Sequence, residues 1–134
     1  CLASKNSESS VTCWGTGSPF REFMHVDDLG SSVVFALENW NPDCEKSPKD
    51  SQGEILSILN VGTGKDLTIK DLASKISKIT NFKGSIVWDT SKPDGTPKKL
   101  LNIERIKRLG WNPKIDLDFG ISQTIKSFEK ENEF

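Results

Sequence analysis

Several residue types that often carry chemistry are absent or scarce in this chain of 134 residues. It has no tyrosine, so a reaction that needs a tyrosine acid or base cannot be completed by this chain alone. Its one histidine argues against a histidine-rich zinc site, and we expect no metal centre. The three cysteines (Cys1, Cys13 and Cys44) are scattered and form no CxxC pair, which is typical of free thiols in a reducing, cytoplasmic setting.

Long apolar runs and a strong charge of one sign are missing as well. No apolar stretch approaches the roughly 18 residues of a membrane-spanning helix, and no signal peptide is visible before the polar segment that follows Ala3. The net charge of −1, with 34% hydrophobic and 28% charged residues, indicates an ordinary folded domain with no general attraction to nucleic acid or anionic membranes. Because the first residue is not Met, we expect a part of a longer protein.

The hydrophobic periodicity predicts one mixed α/β domain. We expect a flexible polar tail at 1–10 and one domain at 11–134, with a polar loop at 41–53. The predicted strands are 11–14, 20–26, 54–61 and 85–88, and the predicted helices follow Asp27 or Asp28, follow Thr68, cover 102–109 and start near Asp116 or Asp118. The 54–61 strand is so apolar that we expect it to be buried on both faces.

The first candidate binding segment is WGTGSPFR, from Trp14 to Arg21. Its glycines favour a tight turn that a ligand can approach closely. Arg21 can bind a phosphate or carboxylate through two parallel hydrogen bonds, and Trp14 offers a flat apolar face. On spacing alone, a β-hairpin with Arg21 in a surface ion pair is the simpler interpretation of the segment.

The second candidate is the loop KPDGTPKK at 92–99, which two prolines stiffen. Residues 83–108 carry seven basic and three acidic side chains, a local excess of positive charge in a chain that is nearly neutral. Both an anion site and a solvated surface fit that composition.

Two further motifs favour structural roles. The NVGTGK segment at 60–65 superficially resembles a phosphate loop, but Asp66 and Leu67 stand where such loops need Ser or Thr and a further Gly, so we expect a strand-to-helix turn. His25, Asp27 and Asp28 could suggest a metal or an acid–base pair. Neighbouring strand residues point to opposite faces, however, so helix capping by the Asp pair and a structural histidine are the simpler interpretation.

The motifs together carry a family resemblance. The order WGTGSPFREFMHVDDL, LNVGTGKDLTIKDLA, WDTSKPDGTPKKLLNIERIKRLGW and a closing amphipathic helix resembles the C-terminal part of extended short-chain dehydrogenases/reductases, the NAD-dependent epimerase/dehydratase family. The HVDD and NVGTG motifs occur across the family, whereas WG-x-G-x-P-x-REF with SKPDGTP-[RK]-K-L-L points to a GDP-sugar epimerase/reductase. The resemblance covers about 11–130 and breaks at 41–53.

The resemblance implies a small C-terminal substrate-binding domain of short strands and about four helices, without its Rossmann half. The family's NADP loop and catalytic residues lie upstream, so we expect no catalytic, cofactor-binding or metal-binding residue here and no turnover by this chain alone. The GDP-sugar ligands map to Trp14, Arg21, Asp94 and Lys99, and Lys98 is a weaker candidate. The implied reaction is 3,5-epimerisation and NADPH-dependent 4-reduction of a GDP-4-keto-6-deoxy sugar, by a full-length homodimer that uses neither nucleic acid nor membrane.

Three alternatives stay open at this point. One is another nucleotide-sugar epimerase or dehydratase, with a different nucleotide preference at Trp14 and Asp94. Another is a stand-alone nucleotide, anion or RNA module using 83–108, although only Trp88 and Trp111 stand near that stretch as stacking aromatics. The last is a piece with no ligand of its own, whose apolar 55–61 strand is left partly unpaired.

Overall fold

The computed structural model describes residues 1–42, 47 and 49–131. Its helices are α1 (Leu2–Lys5), α2 (Val26–Asn39), α3 (Ile69–Ile79), α4 (Glu104–Leu109) and α5 (Leu117–Glu131), and its strands are β1 (Ser10–Trp14), β2 (Phe20–Glu22), β3 (Asp66–Thr68), β4 (Ser85–Asp89) and β5 (Lys98–Lys99). The α/β class is confirmed. The described residues contain five helices instead of about four, and α1 is the one that was not expected. None of these helices is long and apolar enough to cross a membrane.

The strands form two small sheets. β1 pairs in parallel with β4, so that Trp14 lies opposite Asp89. β2 is the central strand of the second sheet, antiparallel to β3 and parallel to β5. In that register Arg21 lies opposite Lys99. The topology therefore brings the 14–21 segment to the 92–99 loop, about 78 residues away in sequence.

The buried core is small and centres on α4. Partly buried apolar side chains from α2 and from 59–61 pack against it. The core residues are Ile103, Ile106 and Trp111, and the packed neighbours are Met24, Phe35, Leu59 and Val61. The Trp111 indole N–H donates to the Ser31 hydroxyl at 3.2 Å. This bond and the apolar contacts fix α2 against α4.

The predicted capping residues are confirmed at the ends of three helices. The Thr68 hydroxyl accepts the Asp71 N–H at 3.0 Å and donates to the Asp71 carboxylate at 2.6 Å, a capping box with Asp in the usual Glu position. Gly110 ends α4 in the left-handed region with φ +115°. The Asp116 carboxylate accepts the Asp118 N–H at 2.9 Å where α5 begins.

The start of α2 differs from the prediction. The predicted cap at Asp27 or Asp28 is wrong, because the His25 Nδ1 caps the helix by accepting the Asp27 N–H at 3.2 Å. Asp28 is 3% exposed, and its carboxylate accepts the backbone N–H groups of Lys114 and Ile115 at 2.9–3.1 Å. β2 also ends at Glu22, short of the predicted 26, because the chain turns into α2 at Val26.

The strand predicted at 54–61 is wrong. The described residues there form only an isolated bridge between Lys49 and Ile55. Ile55 is 48% exposed and Ile58 is 70% exposed. A strand buried on both faces needs neighbouring strands in a sheet, and the described part of the chain supplies none beside this segment.

Residues 1–10 also differ from the predicted flexible tail. Leu2–Lys5 form a helical turn, and the Ser4 hydroxyl donates to the Thr80 carbonyl at 2.7 Å. Ser10 already belongs to β1, where it lies opposite Ser85. The polar segment is thus tied to the end of α3 by hydrogen bonds that no apolar pattern reveals. Part of the predicted 41–53 loop, with Cys44, lies outside the described residues.

Candidate functional site

The glycine turn after β1 has the expected tight geometry. Gly15 has φ +80° and Gly17 has φ +74°, values that favour glycine. A Cβ placed on Gly17 would lie 2.5 Å from the Trp88 ring, so only glycine lets the turn approach that ring. Because β1 pairs with β4 and β2 pairs with β3 and β5, the hairpin alternative for this segment is wrong. Trp14 stands at the end of β1 and is 74% exposed.

Asp94 joins the 92–97 loop to this turn. Its carboxylate accepts the Thr16 N–H at 2.9 Å and the Thr16 hydroxyl at 2.6 Å. The side-chain bond from Thr16, followed by the backbone bond, lowers the pKa of Asp94 below its ordinary value. Thr16 was missed by the sequence reasoning, because its partner lies 78 residues away and leaves no local pattern.

Arg21 and Lys99 form a pair of neighbouring cations. They occupy opposite positions on β2 and β5, so their side chains leave the same face of the sheet. The Arg21 Nη1 donates to the Phe20 carbonyl at 2.6 Å, and a Cβ placed on Gly95 would lie 3.1 Å from Nη2. Within the described ranges neither cation has a carboxylate partner. Two cations that share a face and lack a counter-ion can hold an anion.

The other lysines of the loop have different environments. Lys98 Nζ lies 3.1 Å from the Asp66 carboxylate and 5.8 Å from the centroid of the Phe20 ring. Lys92 Nζ lies 5.6 Å from the centroid of the Trp14 ring, a cation–π contact that sequence reasoning missed. Lys98 is therefore engaged with its own chain, and Trp14 carries a cation beside one ring face.

The NVGTG turn holds a carboxylate of this chain. The backbone N–H groups of Thr63 and Gly64 both donate to the Glu22 Oε1 at 2.6 Å. The turn has the structural role that was expected, but it leads from the irregular 54–61 segment into β3 and not from a strand into a helix. Its donors, which could otherwise face a phosphate, face Glu22 instead, and that residue was not singled out from the sequence.

The predicted ligand residues lie on an open face of the described part of the chain. Asp94 and Lys99 are exposed, like Trp14, and Arg21 is half-buried. A cavity of about 360 Å³ lies between α3 and α5, with apolar walls and with His25 and Asp116 among its lining residues. It contains none of the four predicted ligands, and its apolar lining does not suit a diphosphate.

Comparison with known proteins shows what the sequence and the fold of this chain are similar to. The model of the NAD dependent epimerase/dehydratase family matches residues 1–49. The GDP-L-fucose synthase of Escherichia coli strain K12 is 40% identical over 133 residues, which are 98% of this chain and 40% of that protein. The solved GDP-6-OMe-4-keto-L-xylo-heptose reductase from C. jejuni is 36% identical with a TM-score of 0.80, over 93% of this chain and 35% of its own.

A further solved structure, a GDP-L-fucose synthetase from Naegleria fowleri bound to NADP, is 25% identical with a TM-score of 0.75, over 98% of this chain and 38% of its own. The chain is similar to members of the NAD dependent epimerase/dehydratase family, and its fold matches a part of the extended short-chain dehydrogenase/reductase fold. Within that family its curated relatives at 36–43% identity include GDP-L-fucose synthases. The chain spans about a third of the length of these relatives.

Proposed function

We propose that this chain is the substrate-binding part of an enzyme that converts GDP-4-keto-6-deoxy-mannose to GDP-L-fucose, by 3,5-epimerisation and NADPH-dependent 4-reduction. The relatives named as GDP-L-fucose synthases support this reaction. The observation that carries it is the pair Arg21 and Lys99, two cations on one face of a sheet, whose loop is bonded through Asp94 to the turn that follows the exposed Trp14. A diphosphate beside a flat base or ribose suits that combination.

Each residue has a role in this proposal. Arg21 binds the diphosphate through two parallel hydrogen bonds, and Lys99 adds a point charge. Trp14 covers an apolar ring face of the nucleotide. Asp94 holds the glycine turn through Thr16, and the remaining lone pairs of its carboxylate accept hydrogen bonds from ribose or guanine.

The described residues do not fit an NADP site. The NVGTG turn lacks the third glycine of a dinucleotide loop, and Glu22 already occupies its N–H groups. We therefore place NADP, the catalytic residues and the proton transfers outside this chain. The role of this chain is to bind the GDP end of the substrate and orient its sugar. We expect no turnover without the rest of the enzyme.

A second candidate is a GDP-sugar reductase acting on another sugar. It is favoured by the C. jejuni heptose reductase, which is 36% identical over 93% of this chain. Both candidates share the nucleotide, so the proposed roles of Arg21, Lys99 and Trp14 are unchanged. The sugar distinguishes them, and a turnover assay with each 4-keto GDP-sugar decides between the two.

The partner of this chain in the proposal is the Rossmann domain of the same protein. Support comes from α2, whose side chains Val26, Leu29, Val33 and Leu37 recur on one face and are 46–82% exposed. The exposed Ile55 and Ile58 add to the apolar surface.

We further propose a cytoplasmic homodimer, a setting in which Cys1 and Cys13 stay free thiols.

The test is calorimetric titration of the full-length protein with GDP, UDP and GDP-fucose. We expect saturable binding that favours guanine, and a loss of roughly tenfold to a hundredfold in Arg21→Ala and Lys99→Ala, because each removes a charge-assisted contact. Lys98→Ala is the matched control, since the neighbouring Lys98 is paired with Asp66. Equal losses in Lys98→Ala and Lys99→Ala, or no preference for GDP over UDP, would contradict the proposal.

A further inference from the structure

Glu22 bridges two segments on either side of β2. It follows Arg21, so its side chain leaves the opposite face of the strand. Its Oε1 accepts the Thr63 and Gly64 N–H groups at 2.6 Å each, and its Oε2 accepts the Leu101 N–H at 3.1 Å. One carboxylate thus joins the turn before β3 to the chain just after β5.

The NVGTG turn is shaped around this carboxylate. A Cβ placed on Gly62 would lie 2.5 Å from the Glu22 Oε1, so a side chain at that position would displace the carboxylate. Gly64 has φ +71°, a backbone conformation that favours glycine. The close approach of Glu22 therefore explains Gly62, whereas the positive φ of Gly64 and the Ile103 side chain, 3.1 Å from a Cβ placed there, explain Gly64.

The strand that carries Lys99 has few other restraints. β5 consists of two residues, Lys98 and Lys99, on the outer side of β2. Besides the pairing with Phe20 and Arg21, the described residues restrain this segment through a backbone bond from the Phe20 N–H to the Pro97 carbonyl, at 2.8 Å, and through the exposed ion pair of Lys98 with Asp66, at 3.1 Å. Like charges placed directly opposite each other on neighbouring strands repel. Lys99 therefore needs an anchor to stay opposite Arg21.

We propose that Glu22 is a positioning residue that holds Lys99 opposite Arg21 by fixing the backbone at Leu101. The carboxylate touches neither cation of the pair in this arrangement, and it acts through the main chain two residues beyond Lys99. The two cations are then presented together to one anion before it arrives, which lowers the ordering cost of binding. The identity of that anion, a nucleoside diphosphate, rests on the proposed function.

The test compares Glu22→Gln, Lys99→Ala and the double variant in the full-length protein, with GDP as the probe. Gln keeps the size of Glu and one acceptor oxygen. The amide oxygen continues to accept the Thr63 and Gly64 N–H groups, so the amide NH₂ faces the Leu101 N–H. Because both of these groups are donors, the hydrogen bond to Leu101 is lost. We expect GDP affinity to fall about tenfold, as in Lys99→Ala, and the double variant to be no more than about twofold weaker than Lys99→Ala. Glu54→Gln, at an exposed glutamate outside the sheets, is the matched control.

A second measurement needs no ligand. Hydrogen–deuterium exchange of 98–101 should speed up in Glu22→Gln and stay unchanged in Glu54→Gln. Unchanged exchange, or additive losses of GDP affinity in the double variant, would overturn the positioning role. If the unaltered protein does not bind GDP but Glu22→Gln still frees 98–101, the proposed function fails and the anchoring of Lys99 stands. If Glu22→Gln does not fold, Glu22→Asp, which keeps the charge but shortens the reach, is tested in the same two assays.

Discussion

At the scale of single residues, the candidate site depends on hydrogen bonds between distant positions. Asp94 is exposed to solvent, yet both of its oxygens are bonded to Thr16. The carboxylate accepts these bonds better than the carboxylic acid does, and the pKa of Asp94 is lowered for that reason. The link between the glycine turn and the 92–97 loop is therefore strongest when Asp94 is ionised.

Replacing Thr16 by Val should raise the pKa of Asp94 toward its ordinary value, because the hydroxyl bond is the largest cause of the shift. In the unaltered chain the stabilising contribution is complete above about pH 3.9, and it is lost as the pH falls through the lowered pKa. Carboxyl-carbon NMR titration measures the change, with Thr124→Val on α5 as control. An Asp94 pKa that is the same in Thr16→Val and in the unaltered chain would refute this account.

Sequence reasoning identified residues whose own side-chain chemistry suggests a binding role. It missed residues whose role depends on a partner that is distant in sequence. Arg21 and Trp14 were singled out by charge, flatness and the turn beside them, and Asp94 and Lys99 were selected within the 92–99 loop by the family resemblance. The ligand roles of all four stay predictions. Thr16 and Glu22 were missed because the partner of Thr16 lies 78 residues away and the partners of Glu22 lie 41–79 residues away. Such contacts arise from the fold and produce no recognisable spacing pattern in the sequence.

At the scale of helices and strands, features set by adjacent residues were again predicted correctly, and features set by distant partners were not. The cap at Thr68 and the end of α4 at Gly110 depend on a few adjacent residues, and both are confirmed. The 54–61 segment and β5 depend on what lies beside them in space. The first lacks a sheet to join among the described residues, and the second exists only because β2 lies beside it.

Asp28 links two helices, and removing its charge should show how much that link contributes. It is 3% exposed and holds the backbone at 114–115, just before α5. Asp28→Asn replaces one acceptor oxygen by a donor that faces an N–H, so we expect the free energy of unfolding to fall by about 1–3 kcal/mol. Urea unfolding measures this. Asp27→Asn, at a side chain that is 77% exposed, should change stability by less than about 0.5 kcal/mol, and equal effects at both positions would disprove the link.

At the scale of the whole molecule, much apolar surface is uncovered. Among the described residues the buried hydrophobic core comprises three side chains, whereas the α2 face and the 55–58 segment expose large aliphatic side chains. A surface of this kind is common where a protein meets another domain or chain. It agrees with a chain that spans about a third of its relatives' length.

The 134-residue chain by itself should therefore self-associate, and a charge on the α2 face should reduce the association. Leu37 is 82% exposed and Val33 is 51% exposed, so replacing both by Lys disturbs little packing. Sedimentation velocity over a concentration series measures the effect. Leu2→Lys on α1, at a side chain that is 50% exposed, is the control. Association that persists in the α2 variant and vanishes in the α1 variant would assign it to the other surface.

The exposed indole at the end of β1 has an optical consequence. Without tyrosine, the ultraviolet emission of the chain comes from its four tryptophans, and Trp14 is the strongly exposed one, since Trp40, Trp88 and Trp111 are half-buried or buried. A soluble quencher such as iodide should therefore extinguish the red-shifted part of the spectrum first. A nucleotide seated on that ring would shield it from the quencher, so the unlabelled protein reports the occupancy of its own candidate site.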